Sequence, residues 1–153
     1  MKKGIWKLVF WAYLMVLFLV VILKFTGSFQ DLLERMQEEP YGKPYNLEPF
    51  RTIQLQWRNL NESWAQLNLL GNTLPFLPFG YLLFMSNPKK CSLLKVLLVG
   101  LMFVLLAEAV QFHTGLGTFD VDDIILNMSA IFVGYIPVGI AGIARKTKRK
   151  KKK

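Results

Sequence analysis

Leu8-Val9-Phe10-Trp11-Ala12-Tyr13-Leu14-Met15-Val16-Leu17-Phe18-Leu19-Val20-Val21-Ile22-Leu23 carries no charge and no amide from end to end. Extended to Ile5 and Phe25 as a helix, this run reaches the ~20 residues that cross the hydrocarbon core of a bilayer. Lys2, Lys3 and Lys7 precede or open it, as they would in a secretory leader. It is longer than the roughly 7–15 apolar residues of a leader, and no A-x-A-like cleavage site follows. The run is therefore expected to be a retained anchor, and its solvent to be lipid.

The rest of the chain repeats that pattern. Three further apolar segments, at about 65–85, 92–112 and 124–143, are long enough to span. The second contains Pro75 and Pro78, with Gly71 and Gly80 on either side. Each proline removes a backbone donor and clashes with the carbonyl four residues back, so this helix should kink or partly unwind. In a membrane, that is tolerated where neighbouring helices or a polar cavity satisfy the freed groups. In the fourth segment Gly134, Pro137 and Gly139 permit close packing or bending. The expected fold is an all-α membrane protein: a four-helix transmembrane bundle forming one domain over residues 1–153, with a basic tail at 144–153.

Composition agrees. Hydrophobic residues make up 53% and charged residues only 19%, and the charges sit in blocks between apolar runs. The net charge of +9 raises nucleic acid as a partner. Yet eight of the nineteen basic residues lie between Arg145 and Lys153, where such a cluster fixes membrane orientation and touches anionic lipid headgroups. No nucleic-acid partner is expected. Cys91 is the only cysteine, so no internal disulfide forms.

Orientation follows from the same charges. The N-terminus, the turn with Lys89 and Lys90, and the tail are basic. The segment from Thr26 to Trp64 has six acids against four bases, and His113 to Asp123 has three acids and neither Lys nor Arg. The positive-inside rule then puts both termini in the cytoplasm and the long loop between the first two spans outside. That loop holds a short amphipathic stretch (Phe29, Leu32, Leu33, Met36) and two tryptophans suited to the interface, Trp57 and Trp64.

With this orientation, most polar residues of the spans fall at one level, near the outer headgroups. Asn68 and Asn72 share a face of the second helix, and Glu108 and Gln111 share a face near the outer end of the third. Asp120, Asp123 and Asn127 follow i, i+3, i+7 spacing at the mouth of the fourth. Structural roles compete with functional ones. Asp120 and Asp122 suit capping of their own helix, and Asp122→Asn is expected to be mild. The asparagines suit interhelical hydrogen bonding. Glu108 is hardest to assign to packing, because an acid deep in a spanning helix costs on the order of a few kcal/mol even on the lenient insertion scale. The candidate functional cluster is therefore Asn68, Asn72, Glu108, Gln111, Asp120, Asp123 and Asn127.

No soluble-enzyme motif accompanies it. There is no phosphate-binding loop, nucleophile elbow, HExxH or cysteine pair, and His113 suits an interfacial polar residue better than a metal ligand. Asn61-Glu62-Ser63 matches a glycosylation sequon, a pattern common by chance. No catalytic residue, cofactor or metal is expected.

Several pieces in order resemble the VanZ-like membrane proteins. They are Asn46-Leu47-Glu48-Pro49-Phe50-Arg51-Thr52-Ile53, then Asn68-Leu69-Leu70-Gly71-Asn72 leading to Pro78-Phe79-Gly80. Glu108-Ala109-Val110-Gln111 and Phe119-Asp120-Val121-Asp122-Asp123-Ile124-Ile125-Leu126-Asn127 follow, then Gly134-Tyr135. The resemblance covers roughly residues 46–140. Two departures stand out: Ala130 where many relatives have glycine, and Gly117-Thr118 where many have an arginine before the Phe-Asp pair. The resemblance implies an envelope role in Gram-positive bacteria, including lowered susceptibility to teicoplanin-type lipoglycopeptides.

Taken together, the residues suggest a protein that binds or modulates an outer-leaflet lipid or lipid-linked cell-envelope intermediate. Two alternatives stay open: a membrane-embedded enzyme acting on lipid headgroups, and a purely structural bundle.

Overall fold

The computed structural model describes residues 3–23 and 45–150. The amphipathic stretch around Phe29 to Met36 and the last three lysines lie outside the described residues. Helix α1 is Lys3–Leu23, and a two-residue strand β1 is Tyr45–Asn46. Then come α2 (Arg51–Arg58), α3 (Ser63–Thr73), a 3-10 turn at Leu74–Phe76, and α4 (Leu77–Ser86). Helix α5 (Leu93–Thr114), strand β2 (Phe119–Asp120) and α6 (Val121–Lys150) complete the order.

Four helical stretches are long and apolar enough to cross a membrane: Gly4–Val21, Ser63–Ser86, Leu93–Thr114 and Val121–Gly142. Only 17–28% of each is buried inside the bundle, so most of their apolar side chains point outward. Trp11, Met15, Leu98, Met102, Val133 and Ile140 are among the exposed ones, while Glu108, Gln111, Asp122 and Asn127 are buried. In water this distribution would be inverted. In lipid it is what polar desolvation demands.

The second span breaks where the prolines foretell. Helix α3 ends at Thr73, the 3-10 turn carries Pro75, and α4 starts with Pro78 near its N-terminus. The Leu77 N–H bonds back to the Leu74 carbonyl, and the Tyr13 hydroxyl of α1 donates to the Pro75 carbonyl at 2.6 Å. A neighbouring helix thus satisfies a group at the break.

Beside the break, α4 and α6 touch backbone to backbone. A Cβ on Gly80 would fall on the Ile131 carbonyl oxygen, and one on Gly134 on the Leu77 carbonyl oxygen. Small residues permit this approach, the main source of helix adhesion where lipid supplies no hydrophobic drive. Around the seam an aromatic cluster fills the middle of the bundle. Phe79 meets Phe10 edge-on at 5.6 Å and Phe103 at 5.7 Å, with Phe76, Val104 and Ile131 fully buried beside it. Ala130 is itself buried in this core.

The last helix starts three residues earlier than the periodicity predicts, and it runs through Pro137 as far as Lys150. The segment before the second span is not simply a loop either, since it contains α2 and a parallel bridge. Tyr45 pairs with Phe119 and Asn46 with Asp120.

Candidate functional site at the polar end of the bundle

The polar residues collect where α3, the end of α5 and the start of α6 meet. Asn72 sits in the last turn of α3, immediately before the proline break, and its Nδ2 donates to Asp123 Oδ1. Both are at least nine-tenths buried. Asn127, one turn further along α6, is buried with an Oδ1 that has no hydrogen-bond partner among the described residues. Glu108, one turn before Gln111 on α5, is buried at the same end.

Gln111 is fully buried and has a double role. Its Nε2 donates at 2.7 Å to the Val21 carbonyl of α1. Its own carbonyl accepts from Leu116 and Gly117, closing α5 in a turn that needs the left-handed Gly115 (φ 70°). Its Oε1 is buried without a hydrogen-bond partner among the described residues.

Asp120 faces a different set of groups. Its Oδ1 accepts from the Asp122 N–H at 2.8 Å, capping α6, and from Asn46 Nδ2 at 3.0 Å. Its Oδ2 accepts from the Thr52 hydroxyl at 2.6 Å. Asp120 therefore ties the Asn46–Thr52 segment to the start of α6 and is not seen bonded to the Asn72–Asp123 pair. Asn68, one turn before Asn72, is exposed and outside the buried group.

The expectation for Asp122 is corrected in one respect. It lies in the first turn of its own helix, but its fully buried carboxylate accepts from the N–H groups of Phe50 (2.5 Å), Thr52 (2.7 Å) and Ile53 (3.1 Å) of another segment. These donors open α2, and a carboxylate there meets both unsatisfied N–H groups and the positive end of the helix dipole. Phe50 reaches this geometry at φ 67°, a left-handed value uncommon outside glycine.

Helix α2 is thereby pinned across the polar end. Thr52 and Gln56, four residues apart, turn inward, and Gln56 is buried with its Oε1 unpartnered among the described residues. Leu55 and Trp57 are exposed. Sequence reasoning placed Asp122 at this end but left it out of the cluster, and it missed Thr52 and Gln56. The available signal was Asn46–Ile53, a polar segment placed just before a short amphipathic helix.

Among the described residues, His, Cys, Asp and Glu form no group of three or more suited to a metal ion. The arrangement therefore offers carboxylates and amide oxygens, mostly acceptors, enclosed by helices at one end of an apolar-surfaced bundle. Fold and site together define a small polytopic membrane protein with a buried acidic-amide end. The chain belongs to the VanZ/LLP1 family, which it matches over residues 10–142. No curated protein and no solved structure matches it.

Proposed function

We propose that this protein holds the headgroup of an outer-leaflet lipid or lipid-linked cell-envelope intermediate at the polar end of its bundle. In this reading it sits in the cell membrane of a Gram-positive bacterium, both termini cytoplasmic, with α2 on the outer face. Sequestering such an amphiphile, or altering its presentation, would lower susceptibility to teicoplanin-type lipoglycopeptides, as the resemblance implies.

The observation that carries the reading is the buried Asn72–Asp123 bond at the proline break, flanked by the unpartnered oxygens of Asn127 and Gln111. Buried polar groups are normally hydrogen-bonded, and leaving one unsatisfied costs about 1–3 kcal/mol. Acceptors in excess suit a donor-rich headgroup, one bearing hydroxyl, amide or ammonium groups. Asp123, Asn72, Glu108 and Asn127 would make the contacts, with Gln111 and Asp120 holding the walls.

Gentle extraction followed by mass spectrometry of co-purifying lipids tests this. A species enriched over its share of the surrounding membrane supports the proposal, and a profile identical to bulk membrane contradicts it.

A further inference from the structure

The opposite end of the bundle carries a pocket of contrary chemistry. It lies between α1, the end of α4 and the start of α5, and has a volume of about 280 Å³. Lys7 of α1 and Lys95 of α5 line it together with Asn87 and Cys91 of the connecting turn, and Phe10 and Trp11 form part of its apolar wall. Among the described residues neither lysine forms an ion pair with a carboxylate. Helix α5 begins here, so its dipole adds positive potential to that of the ammonium groups.

Two like charges facing one cleft repel, and an anion between them removes that penalty. Lys95 lies only two residues past the start of a span, where an ammonium is costly unless it reaches the interface or finds a counter-charge. The apolar wall formed by Phe10 and by Trp11, which is exposed on the bundle surface, leads from the cations toward lipid.

We propose that this pocket binds a phosphate-bearing anion between Lys7 and Lys95, with Asn87 as a neutral donor. An anionic phospholipid suits it best, its headgroup between the lysines and an acyl chain along Trp11. A soluble phosphate monoester shares the headgroup chemistry but makes no use of the apolar wall. This site is separate from the acidic end and independent of the function proposed for it.

Cys91 lines the pocket and is the only cysteine in the chain, so its alkylation reports occupancy in the unmodified protein. The full-length protein in detergent micelles is treated with N-ethylmaleimide, an uncharged reagent, in the presence of phosphatidylglycerol, phosphatidylcholine or glycerol 3-phosphate. Phosphatidylglycerol should slow alkylation about fivefold relative to phosphatidylcholine, as mass action gives at about four times Kd. Slowing by phosphatidylglycerol alone assigns a lipid, and equal slowing by glycerol 3-phosphate assigns the soluble anion. Within Lys7→Gln/Lys95→Gln the phosphatidylglycerol-to-phosphatidylcholine ratio should return to one. Lys89→Gln/Lys90→Gln, which alters charge near the pocket without touching its lining, should keep the effect. No slowing by either anion in the unmodified protein, or slowing that survives Lys7→Gln/Lys95→Gln, would overturn the proposal.

Discussion

Asp122 closes the N-terminus of a helix that begins seventy-one positions earlier, its Oδ1 accepting from the Phe50 N–H at 2.5 Å. Its other oxygen takes the N–H groups of Thr52 and Ile53, so one buried carboxylate fixes the whole of α2 across the polar end.

The first prediction concerns that contact. Asp122→Asn replaces one acceptor oxygen by an NH2 group aimed at backbone N–H donors, so at least one donor is left facing a donor. Losing a charge-assisted bond and leaving a buried group unsatisfied should cost about 2–3 kcal/mol. Limited proteolysis should then cut within 45–58 far faster in Asp122→Asn than in the unmodified protein. Asp122→Glu, which keeps the charge but displaces the oxygens, should fall between them.

A second prediction concerns the α4–α6 seam. A methyl group at Gly80 or Gly134 meets backbone oxygen, which no side-chain rotation relieves. Gly80→Ala and Gly134→Ala should each destabilise by at least the roughly 1–3 kcal/mol of core overpacking. Gly4→Ala, with open space around it, should leave the melting temperature in detergent unchanged.

Cys91 allows a third. Burial pushes its thiol up from the ordinary value, and the nearby Lys95 ammonium partly offsets this by favouring the thiolate. Because the thiolate is the nucleophile, the alkylation rate should still be rising with pH above the ordinary thiol value of about 8.5. Lys95→Gln removes the offset and raises the thiol further, so alkylation at pH 8 should slow. Faster alkylation in Lys95→Gln would show that the lysine acts otherwise.

Membrane sidedness gives a fourth. The proposed orientation has both termini in the cytoplasm, so an impermeant maleimide should label Cys91 only after lysis. In a Cys91→Ser background, Asn59→Cys should be labelled in intact cells. The reverse pattern would invert the orientation.

How much of this was legible in the sequence depends on the interaction. The spans were, because long uncharged runs such as Leu8–Leu23 have few alternatives to a bilayer. The break at Pro75 and Pro78 was legible because proline chemistry is local. Asn72 meeting Asp123 followed from helical phase and depth. The division of labour among Asp120, Asp122 and Asp123 did not, because adjacent helical residues point about 100° apart and only the fold decides what each faces. Asp122 turns to α2 and Asp123 to α3, to partners 72 and 51 positions away in the chain. Asn68 shows the converse: i, i+4 spacing puts it on the face of Asn72, yet it lies outside the buried group and remains exposed.

The central claim is that the carboxylates of the polar end serve a ligand and do more than hold helices together. Glu108→Gln and Asp123→Asn keep shape and hydrogen-bonding capacity while removing charge, so a carboxylate used only as glue should tolerate them. The most direct measurement is the co-purifying lipid profile of each variant at unchanged membrane abundance and melting temperature, read beside lipoglycopeptide susceptibility. The account predicts that both variants lose the enriched lipid and any envelope phenotype. Retention of both by the two folded variants would contradict it and leave the cluster a structural one.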